Sequence, residues 1–232
     1  MVSNVIEESA YRDREFLFKD RLHAGELLAD KLRPLLAEGN PQLLAVPSGG
    51  VPVGYAIAEK LKIPLDVAIV RKIQIPWNTE AGFGAVTWDG RVLLNETLVG
   101  QLALSTEAVG QCISRTREIL RQRTQTFRGT RPFPDLNDKA VVLVDDGLAS
   151  GFTMLAAAES IRTQHPRKII VAVPTGSASA IELLAPKVDE LVCLNIRQGL
   201  IFAVADAYEV WYDLSDDEVL EFLEESERAT GT

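Results

Sequence analysis

Residues 141–154, VVLVDDGLASGFTM, constrain this chain more than any other stretch. Val141, Val142, Leu143 and Val144 are consecutive, apolar and mostly β-branched, the pattern of a strand buried on both faces. Two adjacent carboxylates, Asp145 and Asp146, stand at its C-terminal end. A turn of mostly small residues follows, Gly147-Leu148-Ala149-Ser150-Gly151-Phe152-Thr153, and runs into a helix-forming stretch. The turn's backbone N–H groups, the hydroxyls of Ser150 and Thr153 and the helix dipole suit a phosphate dianion. The two carboxylates suit sugar hydroxyls and a metal. One segment thus offers both halves of a site for a sugar that carries a phosphate.

The rest of the chain supplies a fold around that segment. Leu22, Ala24, Leu27, Leu28 and Leu32 recur at helical spacing within residues 20–36, and Gly39-Asn40-Pro41 stops the helix. Residues 43–46 read as a buried strand, 51–61 as a helix and 65–70 as the next strand. Residues 71–84 lack a clear period and hold Pro76, Asn78 and two glycines, which predicts a long mobile loop. Asp89-Gly90 between two apolar runs, 85–88 and 91–94, predicts a hairpin. A long basic amphipathic helix is expected over 104–126. Strands over 140–144, 168–173 and 190–194 alternate with helices over 151–164 and 178–184. That alternation predicts an α/β fold, an open, mostly parallel sheet of about five strands covered by helices on both faces. Ligands of such sheets sit beyond the carboxyl ends of the strands. The acidic tail, 215–227, is expected to form a short helix that frays from Ala229. At 232 residues one domain suffices. Its core is expected over about 40–195.

Bulk properties exclude several function classes. No apolar run reaches the roughly 18–20 residues that span a bilayer. The N-terminal residues, MVSNVIEESAYRDREF, are polar and acidic, unlike a signal or transit peptide. A net charge of −9 argues against a broad nucleic-acid footprint. His23 and His165 show no metal-ligand spacing. Cys112 and Cys193 lie far apart in helical and strand patterns, which fits structural burial in a reducing cytoplasm.

A second turn, Pro47-Ser48-Gly49-Gly50, follows the first core strand. Its glycines permit close backbone approach and open a helix whose N-terminal N–H groups can face an anion. Arg71 and Lys72 end the next strand and place positive charge beside that turn.

The pattern at 145–153 resembles the binding motif for phosphoribosyl pyrophosphate (PRPP) of the type I phosphoribosyltransferases, two acidic residues followed by x-x-x-[ST]-G-x-[ST]. Asp145, Asp146, Ser150, Gly151 and Thr153 occupy its specified positions. The turn at 47–50 is similar to the family's pyrophosphate loop, except that Ser48 stands where a basic residue is common. Family members often hold a non-proline cis peptide there, which would fall between Pro47 and Ser48. Residues 71–86, RKIQIPWNTEAGFGAV, look like the family's flexible catalytic loop, with Asn78 and Glu80 as its polar tip.

The resemblance implies a Mg²⁺-dependent transfer of phosphoribose from PRPP to a nitrogenous small-molecule acceptor. Asp145 and Asp146 would bind ribose hydroxyls and the metal, directly or through bound water. Residues Gly147, Leu148, Ala149, Ser150, Gly151 and Thr153 would hold the ribose phosphate. Ser48, Gly49 and Gly50, with Arg71 and Lys72, would hold pyrophosphate. Ala149 replaces the aspartate by which 6-oxopurine members assist at the base, which tells against that acceptor class. The hood over the acceptor is expected from residues 11–36 and 196–225, where Phe202 could stack on a flat base. A homodimer is the common assembly in this family. Ser48 and the unspecialised hood also motivate a second class of function, a PRPP- or nucleotide-sensing protein that binds without turnover.

Overall fold

The computed structural model describes residues 4–37, 39–199 and 202–230; nothing is described of the side chains of Thr79, Glu80 and Thr230. In chain order the elements are β1 (Val5–Ile6), α1 (Arg21–Leu32), β2 (Pro41–Ala45), α2 (Gly50–Leu61), β3 (Leu65–Val67), β4 (Val70–Ile75), β5 (Asn78–Thr87), β6 (Val92–Leu94), α3 (Glu96–Gln101), α4 (Thr106–Arg128), β7 (Ala140–Val144), α5 (Phe152–Arg162), β8 (Lys168–Ser177), α6 (Ala178–Leu184), β9 (Glu190–Arg197) and α7 (Asp216–Thr230).

The central sheet has the order β1-β9-β8-β7-β2-β3, and all of its ladders are parallel. Alternate residues of its strands feed two cores. Val142 and Val144 of β7 pack with Leu28 of α1 and Ile57 of α2 on one face. Val141 and Leu143 pack with Met154, Ala157 and Ile161 of α5 on the other. Both faces of β7 are therefore covered, which accounts for its unbroken apolar run. Each of these valine, leucine, isoleucine and methionine side chains contributes about 1.5–3 kcal/mol through burial. Among the described residues no helix is long and apolar enough to cross a membrane.

The structure departs from three expectations about the strands. The central sheet has a sixth strand, β1, at its edge, where Val5 and Ile6 pair with Leu191 and Val192. Two residues are too few to give a sequence period. The strand expected over 65–70 ends at Val67; the chain then changes sheets, and Val70 pairs with Thr87.

Third, residues 71–84 are no irregular loop. They form most of an antiparallel hairpin, β4–β5, which β6 extends to three strands. The inward side chains are Ile73, Ile75 and Phe83, which share a third core with Leu120 and Phe127 of α4 and Val219 and Leu223 of α7. Register shifts around Gln74 hide the two-residue period. Gly84 sits inside β5 because a Cβ there would meet the Leu93 carbonyl. The hairpin expected around Asp89-Gly90 is present as the β5–β6 turn, where the Thr87 N–H donates to the Arg91 carbonyl at 3.0 Å.

The C-terminal helix α7 runs on to Thr230 rather than fraying from Ala229. Reciprocal bonds start it: the Glu218 N–H donates to Ser215 Oγ at 3.2 Å and Glu218 Oε2 accepts the Ser215 N–H at 2.8 Å.

Candidate active site at the carboxyl end of β7

Asp145 and Asp146 leave the central strand β7, next to the end of β2 and the start of α2. The Asp145 Oδ1 accepts the N–H of Asp146 at 2.9 Å, which turns the first carboxylate back along its own chain. Asp146 Oδ2 accepts from Arg21 Nε at 2.9 Å, and its carbonyl accepts the Tyr208 hydroxyl at 2.6 Å. Arg21 is the first residue of α1, a helix capped by Asp20, whose Oδ1 accepts the His23 N–H at 2.8 Å. Its guanidinium lies 3.8 Å from the Trp211 ring centre and donates to the Tyr212 carbonyl at 3.0 Å. Tyr208 in turn packs on Phe18 and Trp211. Segments from near both ends of the chain thus clasp the second carboxylate.

Burial raises the Asp145 carboxyl well above the ordinary carboxylate range, and the Asp146 charge raises it further. Burial also raises Asp146, with Arg21 opposing the shift. The unfolded chain releases these protons near the usual value of about 3.9, and the folded chain holds them to higher pH. Between those values the native state binds more protons, so stability is lost as pH rises through the folded range and is constant above it. Asp145→Asn removes the larger part of that loss. Thermal melts from about pH 4 upward are expected to show wild type falling relative to Asp145→Asn; parallel curves would refute the raised carboxyl.

The turn after the acidic pair is pinned to the neighbouring strand. The Leu148 N–H donates to the Thr175 carbonyl at 3.0 Å, and the Leu148 carbonyl accepts the Ser177 N–H at 2.9 Å. Ser177 Oγ donates to the Ala149 carbonyl at 2.6 Å. The Leu148 side chain is buried in the core, so this residue anchors the turn. Gly147 lies beneath Val204, and Phe202 is half-buried in the segment leading there. Ala149 and Ser150 are exposed. Gly151 takes a left-handed conformation (φ 75°), and α5 begins directly after it without a side-chain cap. The first turn of α5 therefore presents its N–H donors beside the Ser150 and Thr153 hydroxyls, as a phosphate site requires.

The second turn behaves differently. Its Pro47–Ser48 peptide is cis. Gly49 lies against the Asp146 carboxylate and Gly50 against the backbone of Val144 and Asp145, so the two turns share one crevice. The donors expected at the start of α2 are largely spent, however. The Gly50 N–H donates to Val46, the Val51 N–H donates to Ser48, and residue 52 is proline. Positive charge comes instead from Arg123 of α4, whose Nη2 donates to Ser48 Oγ at 2.8 Å.

Arg71 is half-buried on β4. Burial lowers its pKa, the nearby Arg123 lowers it further and Asp216 opposes. Lys72 is exposed and its stem lies over Gly82. Asn78 opens β5 at the hairpin tip, where its Oδ1 accepts the Ala81 N–H at 3.3 Å. The side chain of Glu80 lies outside the described residues. The structure therefore joins Asp145, Asp146, Gly49 and Gly50 in one crevice and links Ser48 to Arg71 through Arg123. Sequence spacing gave no sign of Arg21 or Arg123, which reach the site from helices 125 and 75 residues away from their partners.

Among the described residues no group of three or more His, Cys, Asp and Glu side chains could hold a metal ion. Asp145 and Asp146 are hard-oxygen donors beside the turn at 147–153, and carboxylate oxygens of this kind are what Mg²⁺ takes when phosphate and water complete its shell.

The family model described as phosphoribosyl transferase domain matches residues 19–209. Two Mycobacterium tuberculosis proteins, MT0597 of strain CDC 1551 and Rv0571c of strain H37Rv, carry names that mark them as inferred phosphoribosyl transferases. Each is 37% identical to this chain over 212 residues, which is 91% of this chain and 47% of the relative. The chain thus spans about half the length of those relatives. The crystal structure of TT1426 from Thermus thermophilus is 36% identical, covers 90% of this chain and 98% of its own, and aligns with a TM-score of 0.74. The matched span takes in Arg21 and Tyr208, both turns and the acidic pair. With this fold, these motifs and these relatives, the chain belongs to the type I phosphoribosyltransferase family.

Proposed function

We propose that the chain transfers phosphoribose from PRPP to a nitrogenous small-molecule acceptor with release of pyrophosphate. The observation that carries this reading is the placement of Asp145 and Asp146 at the end of β7, directly before the uncapped N-terminus of α5. The acceptor nitrogen's lone pair forms the new bond to the anomeric carbon. The bond from that carbon to pyrophosphate breaks with its electron pair on the leaving oxygen, and the acceptor's surplus proton goes to water. Ser150, Gly151, Thr153 and the first turn of α5 would hold the ribose phosphate. Asp145 and Asp146 would orient the ribose hydroxyls and stabilise positive charge developing on the ring. They are also the residues that would hold Mg²⁺, which when bound neutralises charge on the leaving pyrophosphate. The rest of the rate enhancement comes from position. Ala149 offers no carboxylate toward the base, which disfavours a 6-oxopurine acceptor. Cys112 and Cys193 are free thiols, which suits a reducing cytoplasm. A homodimer is part of the same reading, and light scattering tests it.

One observation favours a second reading, binding of PRPP without turnover: the Asp146 carboxylate is already engaged by Arg21. Release of labelled pyrophosphate from PRPP in the presence of a panel of bases separates the two. Acceptor-dependent release is expected. Tight PRPP binding with no release for any base would establish the sensing reading instead.

A further inference from the structure

Resting on that reading, we infer that Arg123 of α4 is the pyrophosphate-binding cation of this site, and that Asp216 at the start of α7 occupies it until the ligand displaces the carboxylate. The second turn is short of both charge and donors. Ser48 carries no charge, the first donors of α2 are spent on Val46 and Ser48, and Pro52 has none to give. A multiply charged pyrophosphate needs more than this.

Arg123 has the position and chemistry to supply it. Thr116, Leu120 and Phe127 of α4 are buried, and residue 123 falls on the same stripe at helical spacing. A guanidinium on such a stripe loses water and calls for an anion. Its Nη2 reaches Ser48 Oγ at 2.8 Å, the Phe127 ring lies 4.8 Å beneath it, and its Nε is buried with no hydrogen-bond partner. Its Nη1 stands 3.4 Å from Asp216 Oδ1, a half-exposed carboxylate. Arg71 faces the same pair, and the depression of its pKa by burial and by Arg123 marks a cluster short of negative charge. A second guanidinium close enough to feel both Arg123 and Asp216 adds the planar donors and the charge that a phosphate oxygen pair takes. Asp216 belongs to the first turn of α7, where a carboxylate is stable on its own account, so it can be displaced without unwinding the helix.

Calorimetry with three probes at fixed salt and Mg²⁺ tests this: inorganic pyrophosphate, PRPP and ribose 5-phosphate. Arg123→Gln is expected to weaken pyrophosphate and PRPP by about tenfold to a hundredfold and to leave ribose 5-phosphate unchanged. Arg123→Lys, which keeps the charge and loses the fork, should fall between. Asp216→Asn is expected to tighten pyrophosphate by about twofold to fivefold, a gain that misfolding cannot produce. Unchanged pyrophosphate affinity in Arg123→Gln, equal weakening of ribose 5-phosphate, or weaker pyrophosphate binding in Asp216→Asn would each overturn the inference. Wild type that binds ribose 5-phosphate but not pyrophosphate would also overturn it. Wild type that binds neither PRPP nor ribose 5-phosphate would instead overturn the proposed function.

Discussion

Asp145→Asn is expected to lower acceptor-dependent pyrophosphate release by about 10²–10³-fold while the protein melts no lower than wild type at neutral pH. Asparagine keeps an Oδ1 to accept the Asp146 N–H, so the local turn survives. What it removes is a charge that burial opposes in the folded state, and losing that charge cannot cost stability. A fall in turnover without a fall in melting temperature therefore isolates the electrostatic role. Asp146→Asn should behave differently. It leaves Arg21, whose side chain is 8% exposed, without its carboxylate. The Tyr212 carbonyl and the Trp211 ring remain, and relief of the burial cost of the Asp146 charge offsets part of the penalty. A loss of about 1–3 kcal/mol is therefore expected, the cost of leaving a buried polar group without its partner. Both variants would lose turnover, and only the second would lose stability. Full activity in Asp145→Asn would refute the assigned ribose role.

The contrast between these two carboxylates also marks how far the sequence could be read. The buried strand, the acidic pair and the small-residue turn are contiguous, so their geometry is set by local rules. The alternation of strands and helices carried the parallel sheet for the same reason. The Arg21–Asp146 clasp and the Arg123–Ser48 contact join residues far apart in the chain. Arg21 looks like any basic residue at the start of a helix until α1 is laid against β7. The β4–β5 hairpin failed for a third reason. Its period is interrupted by register shifts at Gln74, and its glycines are there for close approach to Leu93 and Lys72 rather than for a flexible loop. Glycine in a sequence signals room for a neighbour as readily as freedom of the backbone, and only the fold tells which.

That distinction is sharpest at Gly50, where substitution by alanine is expected to damage both fold and site. A Cβ there would lie 2.7 Å from the Val144 carbonyl oxygen and 2.9 Å from Asp145 Cα. The first belongs to, and the second directly follows, a strand bonded on both sides, to β2 and to β8, so β7 cannot give way. Helix α2 must move instead and carry Ser48 and Gly49 away from the acidic pair. Overpacking of this kind costs about 1–3 kcal/mol, which for a chain of this size lowers the melting temperature by about 3–10 °C. A shift approaching 1 Å between the two halves of the crevice would cost about a hundredfold in turnover. Gly110→Ala, inside α4 with nothing within 4 Å of its added methyl, is the matched control and should be neutral or stabilising by up to about 1 kcal/mol. If Gly50→Ala melts with wild type and keeps its turnover, close approach of α2 to β7 is not what holds the two turns together, and the alignment of the crevice must rest on the Arg21 clasp at Asp146 alone.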